Sequence, residues 1–334
     1  MTKDLTQGSP VRLILGFALP LLAGMLFQQL YNLVDTLIVG RFLGMEALAG
    51  VGATGSINFL VLGFCMGVCS GFAIPVAQQF GAREESRMRE FVANGTWLSI
   101  VFALVMTVLT VVYCGDILRV MNTPTDCFEQ AYDYIVVIFA GIPFTFLYNL
   151  LSGWLRSLGD SKTPLFFLVL SSVLNVILDL AFILIFKLGM GVRGAALATI
   201  VSQGVSCLWV VLFLFSRKSV LKLRVQNFLQ SPRLILPCVG LGTATFIMQA
   251  SESVLSVCFN SSLLKYGGDI AVGAMTILTS VMQFAMLPLQ GLAQGAQPIS
   301  SYNFGARNAA RVRQTFFALL KACLLYTSPS PRDT

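Results

Sequence analysis

Two stretches of the sequence share one pattern, and this pattern decides the fold. Residues 67–83 read GVCSGFAIPVAQQFGAR, and residues 291–307 read GLAQGAQPISSYNFGAR. Both contain glycines four residues apart followed by Phe-Gly-Ala-Arg, with an offset of 224 residues that Ala47 and Ala271 also keep. Small residues at packed helix interfaces would explain the glycines, but not the common Phe-Gly-Ala-Arg at one register. We therefore interpret the two stretches as an internal repeat.

The composition of the chain excludes an ordinary soluble protein. Hydrophobic residues make up 56% of the 334 residues and charged residues only 11%, with a mean hydropathy of +0.80. A soluble domain carries about 25% charged residues. The formal charge of +7 is scattered over short loops, which favours a role in membrane topology over nucleic-acid binding. We predict an all-α integral membrane protein whose partner is the lipid bilayer, with no nucleic-acid partner.

Apolar runs long enough to cross a bilayer as helices, about 20 residues, recur along the chain. The polar start and the length of the first run do not fit a cleavable signal peptide. The predicted spans are 13–39, 47–79, 91–113, 130–152, 164–186, 193–215, 234–263 and 270–301.

The basic residues separate into two groups when the loops are assigned alternately to the two sides of the membrane. Positive residues are enriched in cytoplasmic loops, so the larger group and the N-terminus are predicted to be cytoplasmic, in a bacterial-type inner membrane. The smaller group contains Arg41, Arg119, Lys187, Arg193 and Lys265. The larger group contains Lys3, Arg12, Arg83, Arg87, Arg89, Arg156, Lys162, Arg217, Lys218, Lys222, Arg224, Arg233, Arg307, Arg311 and Arg313.

Six spans separate the two copies of the repeat, so both copies have the same orientation in the membrane. Parallel repeats build transporters from two lobes around a central site. We predict two lobes of six helices each, with the second lobe incomplete in this sequence. The predicted parts are an N-lobe at 1–215, a cytoplasmic loop at 216–233, a partial C-lobe at 234–326 and a tail at 327–334.

The last part of the sequence does not follow the repeat. The second copy is expected to continue well past residue 315, but the apolar segment Phe316–Tyr326 is too short to cross a bilayer. The tail 327–334 is interpreted as read-through from a truncated gene fragment. We expect that the sequence as written does not transport.

Three acidic residues, Asp35, Asp179 and Glu252, lie well inside predicted spans, where an ionisable group is costly and usually functional. Each has polar companions three or four residues away, which share its helix face. The companions are Gln28, Tyr31 and Asn32 on the first helix, Ser171 and Asn175 on the fifth, and Gln249, Ser253, Ser256 and Asn260 on the seventh. Thr199, Gln203 and Ser206 line up on the sixth helix, and Gln283 lies in the eighth span.

Carboxylate, amide and hydroxyl oxygens of this kind suit a site for Na⁺ or a proton. Asp35, Asn175 and Asp179 are candidates to bind either ion, because a buried carboxylate also takes up a proton readily. The serines are more simply explained as hydrogen-bonding contacts between helices. The chain contains no histidine, so proton coupling must use carboxylates. Cys114 and Cys127 flank one loop and could form a disulfide, although the cysteine spacing indicates no disulfide framework.

Four motifs resemble the multidrug and toxic compound extrusion (MATE) family over about residues 10 to 320. They are Asn32-Leu-Val-Asp-Thr36 leading to Val39-Gly-Arg41, Leu155 to Pro164, Asn175-x3-Asp179 followed by Gly194 to Thr199, and Gly291 to Arg307. The resemblance implies two six-helix lobes that alternate access and export cationic or amphipathic drugs in exchange for Na⁺ or H⁺. It implies a cation site at Asp35, Asn175, Asp179 and Thr199, and coupling by Glu252 in the C-lobe. Possible cavity-lining residues are Gln28, Tyr31, Asn32, Gln203, Gln249 and Gln283.

Other functions remain as alternatives. A lipid-linked oligosaccharide flippase has a similar architecture, but its anionic substrate favours basic residues in the cavity, and here the ionisable residues within the spans are acidic. An enzyme needs a nucleophile with its base, or a set of metal ligands, and no such set occurs without histidine. A channel is disfavoured by the parallel repeat with buried carboxylates. We therefore predict a monomeric transporter that is not an enzyme and has no cofactor apart from the coupling ion.

Overall fold

The structure of the protein is a computed structural model that describes residues 5–121, 123, 125–185, 191–215 and 232–327. These residues form α-helices, and none of them lies in a β-strand. A 3₁₀ turn at Thr125–Cys127 precedes α6, and a π-helical turn at Ala181–Ile185 follows α8. The α-helices are α1 Pro10–Phe42, α2 Met45–Ala53, α3 Gly55–Gly81, α4 Glu85–Val112, α5 Cys114–Val120, α6 Phe128–Ala140, α7 Ile142–Ser157, α8 Lys162–Leu180, α9 Val192–Phe215, α10 Pro232–Gly305 and α11 Ala309–Thr327.

The six predicted spans of the first lobe are present. Five helical stretches are individually long and apolar enough to cross a bilayer, and the bent pair Thr125–Ala140 and Ile142–Ser157 supplies a sixth. Because spans alternate in direction, α1 and α8, the first and fifth, run the same way through the membrane. The five stretches are Pro10–Phe42, Leu60–Gly81, Glu85–Val112, Lys162–Ile183 and Val192–Phe213.

Two of the predicted spans are not single straight helices. The span predicted at 47–79 is interrupted at Thr54, between α2 and α3. Both the N–H and the hydroxyl of Thr54 donate hydrogen bonds to the carbonyl of Val51, at 3.2 Å and 2.7 Å. The span predicted at 130–152 bends by 47° at Gly141. Pro143 lacks an N–H, and Gly141 lies so close to Ile200 that a Cβ would overlap that side chain.

The predicted break between the spans 234–263 and 270–301 is absent, because both lie within α10, which is helical from Pro232 to Gly305. The intervening Lys265 to Asp269 contains two glycines but no proline, and a glycine costs a helix only about 1 kcal/mol. However, α10 cannot be straight. Gly242 contacts Gly71, and Tyr302 contacts Gly81, yet a straight helix would separate these two α10 residues by about 90 Å. The course of α10 therefore turns back between Gly242 and Tyr302, so that both residues lie against α3.

The internal repeat is visible in the packing of the two lobes. Gly81 lies against the carbonyl oxygen of Tyr302, and Gly305 lies against the carbonyl oxygen of Gln78. Each residue of the second contact is the 224-residue counterpart of a residue in the first. The approach of Gly71 to Gly242 is repeated in the same way by Gly295 and Ala18. Such reciprocal contacts are those of a two-fold relation between two parallel repeats.

The two Phe-Gly-Ala-Arg motifs end their helices identically. Arg83 and Arg307 are the non-glycine residues of the described chain with positive φ, at 60° and 55°. Each donates its N–H to the carbonyl of the phenylalanine three residues earlier. Glycine adopts this left-handed conformation most readily, and an interpretation of Gly81 and Gly305 as the helix caps is wrong, because neither has positive φ. Those glycines are instead required by the backbone contacts between the lobes, and the arginines adopt the left-handed conformation.

Two apolar clusters hold the fold together. The lobe core joins buried side chains of the first six spans, with Trp154, Phe139 and Phe146 among its largest fully buried members. The seam cluster lies where the repeats meet and consists of Leu5, Leu13, Ile14, Phe17, Ala296, Ile299 and Tyr302.

The predicted domain boundaries stay predictions. Residues 216–231, in the predicted loop between the lobes, and residues 328–334 of the predicted tail lie outside the described residues. The apolar segment from Phe316 belongs to the longer helix α11, which begins at Ala309. Asn308 precedes this helix and accepts a hydrogen bond of 3.1 Å from the N–H of Arg311.

Candidate cation site

Asp35 and Asp179 are brought together by the packing of α1 against α8. Gly24 of α1 makes the close approach possible, because a Cβ there would lie 3.1 Å from a methyl of Leu168 on α8. Asp35 follows Gly24 by eleven residues, and Asp179 follows Leu168 by the same number. Eleven residues are about three helical turns, so in two helices that run the same way the two carboxyl groups arrive on facing sides at one depth.

The two carboxyl groups are buried and adjacent. Asp179 is fully buried and Asp35 is 8% exposed, and their side chains lie within hydrogen-bonding reach of each other. Both are acceptors when ionised, so neither satisfies the other. Two charged carboxylates at this separation repel strongly in an apolar surrounding. A shared proton or a bound cation would relieve this repulsion.

Asn175 lies one turn before Asp179 on the same face of α8 and extends the site. Its amide Nδ2 donates a hydrogen bond of 3.2 Å to Oγ1 of Thr199 on α9. The Thr199 hydroxyl in turn donates to the carbonyl of Ala195. These bonds hold the amide nitrogen, while the amide oxygen Oδ1 has no partner in the described chain.

Four buried oxygen atoms of this cluster have no hydrogen-bond donor among the described residues. They are Oδ1 of Asp35, Oδ1 of Asn175, and both Oδ1 and Oδ2 of Asp179. Buried polar atoms are normally paired, so these oxygens can accept a ligand that supplies positive charge or a proton. Asp35 lies beside Asp179, and Asn175 is bonded to Thr199. The assignment of these four residues to a cation site stays a prediction.

Tyr134 on α6 belongs to this site and was missed by the sequence analysis. Its ring is 6% exposed, and it lies within electrostatic range of Asp35, Asp179 and Tyr31. Tyr31 is hydrogen-bonded to Gln28 and is also close to both carboxyl groups, as the polar stripe on α1 predicted. A tyrosine inside an apolar run reads as a core residue, and only its neighbour Asp133 gave a polar signal.

Asp133 connects α6 to the start of α9. Its Oδ1 accepts a charge-assisted hydrogen bond of 2.6 Å from the Arg193 guanidinium. Both side chains are partly exposed, so the pair adds little stability. Its value is geometric, since it holds the helix carrying Tyr134 against the helix carrying Thr199.

Several predicted residues lie elsewhere. Asn32 is exposed, because it is rotated by about 100° from Tyr31 around α1. Gln203 lies one turn from Thr199 and accepts a hydrogen bond from the Thr145 hydroxyl instead. Glu252 and Gln283 are exposed on α10 and do not join the acidic pair. The side chain of Gln249 lies outside the described residues.

Serines near the site act as contacts between helices, as the sequence analysis preferred. Ser171 donates to the carbonyl of Ser202 at 3.1 Å, and Ser206 donates to the carbonyl of Phe167 at 3.3 Å. Both bonds join α8 to α9. They set the spacing at which Asn175 reaches Thr199.

Two further features lie in the loops. At the start of α8, Oδ1 of Asp160 accepts hydrogen bonds from the N–H groups of Lys162 and Thr163. The possible disulfide between Cys114 and Cys127 is not formed. Both cysteines are buried and pack as small side chains in the core.

Comparison with known families identifies the chain. The MatE family model matches residues 20–181 and again residues 244–329. The chain belongs to the MATE family. The two matched segments begin 224 residues apart, which is the offset of the Phe-Gly-Ala-Arg repeat. Members of this family are multidrug efflux transporters, so this MATE protein is a multi-pass membrane transporter of small molecules.

Curated bacterial proteins are similar over nearly the whole chain. The probable multidrug resistance protein YoeA of Bacillus subtilis is 29% identical over 323 residues, which cover 94% of this chain and 69% of that protein. The probable multidrug resistance protein YpnP of the same organism is 30% identical over 314 residues, covering 92% and 68%.

Solved structures share the fold. An outward-facing multidrug resistance MATE transporter of the MOP superfamily aligns with a TM-score of 0.90 and 27% identity, over 98% of this chain and 72% of that one. A MOP superfamily transporter from Pyrococcus furiosus aligns equally well, with the same coverage, and for it a reverse polarity of the binding pocket suggests a different function.

Proposed function

We propose that this MATE protein exports cationic or amphipathic compounds in exchange for H⁺ or Na⁺, and that Asp35, Asn175 and Asp179 bind the coupling ion with support from Thr199. The observation that carries the proposal is the group of four buried, unpaired oxygens around the two adjacent carboxyl groups. One proton, or one Na⁺, relieves the repulsion of the pair and occupies oxygens that nothing else in the described chain satisfies.

Coupling follows from the positions of the two acids on different helices. With the ion bound, α1 and α8 are held together through Asp35 and Asp179. Without it, the two negative charges push these helices apart, and the protein favours a different arrangement of α1 against the rest of the lobe. A ligand shifts a two-state equilibrium by its difference in affinity for the two states. An ion and a cationic drug that need the same charges will therefore replace each other.

The orientation proposed from the sequence fits the ends of the helices. Arg83 and Arg307 stand at the two equivalent ends where α3 and α10 finish, and Arg156 ends α7 on the same side. Arg41 and Arg193 lie at the opposite ends of their spans. By the positive-inside rule, the side with Arg83 and Arg307 is cytoplasmic, which also places the N-terminus in the cytoplasm of a bacterial-type inner membrane.

The test is transport by the purified full-length protein in liposomes, with a fluorescent cationic dye as substrate. The wild-type protein is measured with an imposed Na⁺ gradient at equal pH, and with an imposed pH gradient without Na⁺. Asp35→Asn and Asp179→Asn keep the shape but remove the charge. Asp116→Asn is the matched control, because it makes the same change at an exposed carboxylate on α5.

We expect dye transport to follow one of the two gradients, and to lose that dependence in both acid variants but not in the control. Glu252→Gln tests the second predicted coupling acid, and we expect little effect because Glu252 is exposed and apart from the pair. Gradient-dependent transport that survives in both acid variants would contradict the site. Transport of an anionic lipid-linked sugar in place of any cationic dye would favour the flippase alternative.

A further inference from the structure

The segment before α1 is held by side chains of the opposite lobe. Leu5 is fully buried in the seam cluster, where it packs with Leu13 and Phe17 of α1 and with Ile299 and Tyr302 of α10. Four members of this cluster come from the N-terminal side of the sequence and three from α10. A residue outside the spans therefore fills the junction between the lobes.

Two side chains of the second lobe fix this segment through its backbone. The Asn303 amide donates a hydrogen bond of 3.1 Å to the carbonyl of Leu5, and a second of 2.9 Å to Ile299 in its own helix. The Arg311 guanidinium donates to the carbonyl of Gly8. Gly8 has φ of 89°, which suits glycine and turns the segment into α1.

This contact lies at the end of the molecule where the lobes meet most closely. Tyr302 packs edge-on against Phe80, with the ring centres 5.5 Å apart, and Gly81 and Gly305 bring the two backbones together beside it. Arg83 and Arg307 mark this end as the proposed cytoplasmic side. A transporter that alternates access must open this seam for the substrate to enter from the cytoplasm.

We propose that residues 5–9 form a latch that keeps the cytoplasmic seam closed, and that releasing this segment from Asn303 and Arg311 is a step of opening. The proposal rests on the proposed alternating access. Two hydrogen bonds to carbonyl groups and one buried leucine make a contact that is specific in register and can still break and re-form. The glycine contacts between α3 and α10 then separate after the segment leaves.

The test measures opening directly, by labelling a cysteine placed in the seam. Ala296 is 2% exposed within the seam cluster and is replaced by cysteine in full-length protein. Cys258 is exposed and Cys323 half-buried, so both are first replaced by serine. A membrane-impermeant maleimide is added to inverted vesicles, and the labelling rate at position 296 is followed.

Arg311→Gln and, separately, Leu5→Ala are expected to raise the labelling rate by about fivefold, which is within the usual range of coupling between two states. Arg313→Gln is the control, because Arg313 is exposed and contacts Phe317 instead of the segment. Equal labelling in the latch variants and the control would overturn the proposal.

This result is independent of the coupling ion. Faster labelling in the latch variants, with dye transport that ignores both gradients, would support the latch and refute the proposed ion coupling. Gradient-driven transport with unchanged labelling would refute the latch and leave the ion coupling in place. A further variant keeps the test valid if Leu5→Ala folds poorly. Asn303→Asp keeps the size of the side chain but loses the donor to the carbonyl of Leu5, and it is expected to be labelled as fast as Arg311→Gln.

Discussion

The ion site in the first lobe and the seam between the lobes differ in how their polar atoms are used. Around Asp35 and Asp179, four buried oxygens have no donor in the described chain. At the seam, apolar side chains fill the space and glycines bring the backbones together. Asn303 and Arg311 donate to the backbone of the segment before α1, and among their polar atoms Oδ1 of Asn303 and Nε of Arg311 have no partner in the described chain. The first region is prepared for a ligand, and the second for contact between two parts of the protein that separate and rejoin.

The largest effect on transport is expected at the acidic pair, Asp35 and Asp179. Asp179→Asn removes the charge of the fully buried acid, and we expect ion-driven dye transport to fall by at least about a hundredfold, since a cation site loses its main ligand. Transport in liposomes measures this. Wild-type thermal stability would exclude misfolding, because removing a buried charge from this pair is not expected to destabilise the protein.

The repeat itself gives the next prediction. Gly81→Ala and Gly305→Ala introduce the same overlap at the two equivalent lobe contacts, and overpacking of this kind costs about 1–3 kcal/mol. We expect both variants to lower the melting temperature by similar amounts. Gly52→Ala is the control, since a Cβ there meets nothing within 4 Å. A large loss for one glycine and none for its counterpart would argue against the two-fold relation.

The packing beneath the site is tested at Gly24. A valine there would press on Leu165 and Leu168 of α8 and move Asp35 away from Asp179. We expect the ion affinity to drop by about tenfold, or roughly 1.4 kcal/mol, with the seam unchanged. Binding of the ion and labelling of the seam cysteine are measured on the same variant. Altered labelling with unchanged affinity would reverse the roles assigned to the two regions.

The smallest effect is expected at Tyr134. Tyr134→Phe removes only a hydroxyl near the acids, and we expect a change of a few-fold in ion affinity, in line with one hydrogen bond of about 1 kcal/mol. Tyr132→Phe changes an exposed tyrosine of the same helix and serves as the control. Ion affinity that is equal in the two variants would remove Tyr134 from the site.

The sequence predicted the features that depend only on the positions of residues along the chain. The common offset of 224 residues gave the repeat, and the positions of Asp35 and Asp179 well inside their predicted spans gave the two acids. Which side of a helix faces its neighbour depends on rotation: Tyr31, bonded to Gln28, lies near both acids, while Asn32 is exposed. Tyr134 could not be recognised, because a tyrosine in a core and one in a site have the same local sequence.

Local distortions were also beyond the sequence. The bend at Gly141 accompanies the close approach of Ile200, which lies 59 residues away in the chain. Local preference would place the left-handed conformation at a glycine of each Phe-Gly-Ala-Arg motif, yet Arg83 and Arg307 adopt it. In the structure the glycines are needed for contact between the lobes. Tertiary packing decided each of these positions.

The most direct test of the central claim is to count the ions exchanged at the site. Purified protein in a weakly buffered detergent solution is mixed with a cationic dye, and released protons are recorded by a pH indicator, while displaced ²²Na⁺ is measured in a parallel sample. We predict that dye binding releases H⁺ or Na⁺ from the wild-type protein and none from Asp35→Asn combined with Asp179→Asn. Equal release from the double variant, or dye binding without any release from the wild type, would contradict the account.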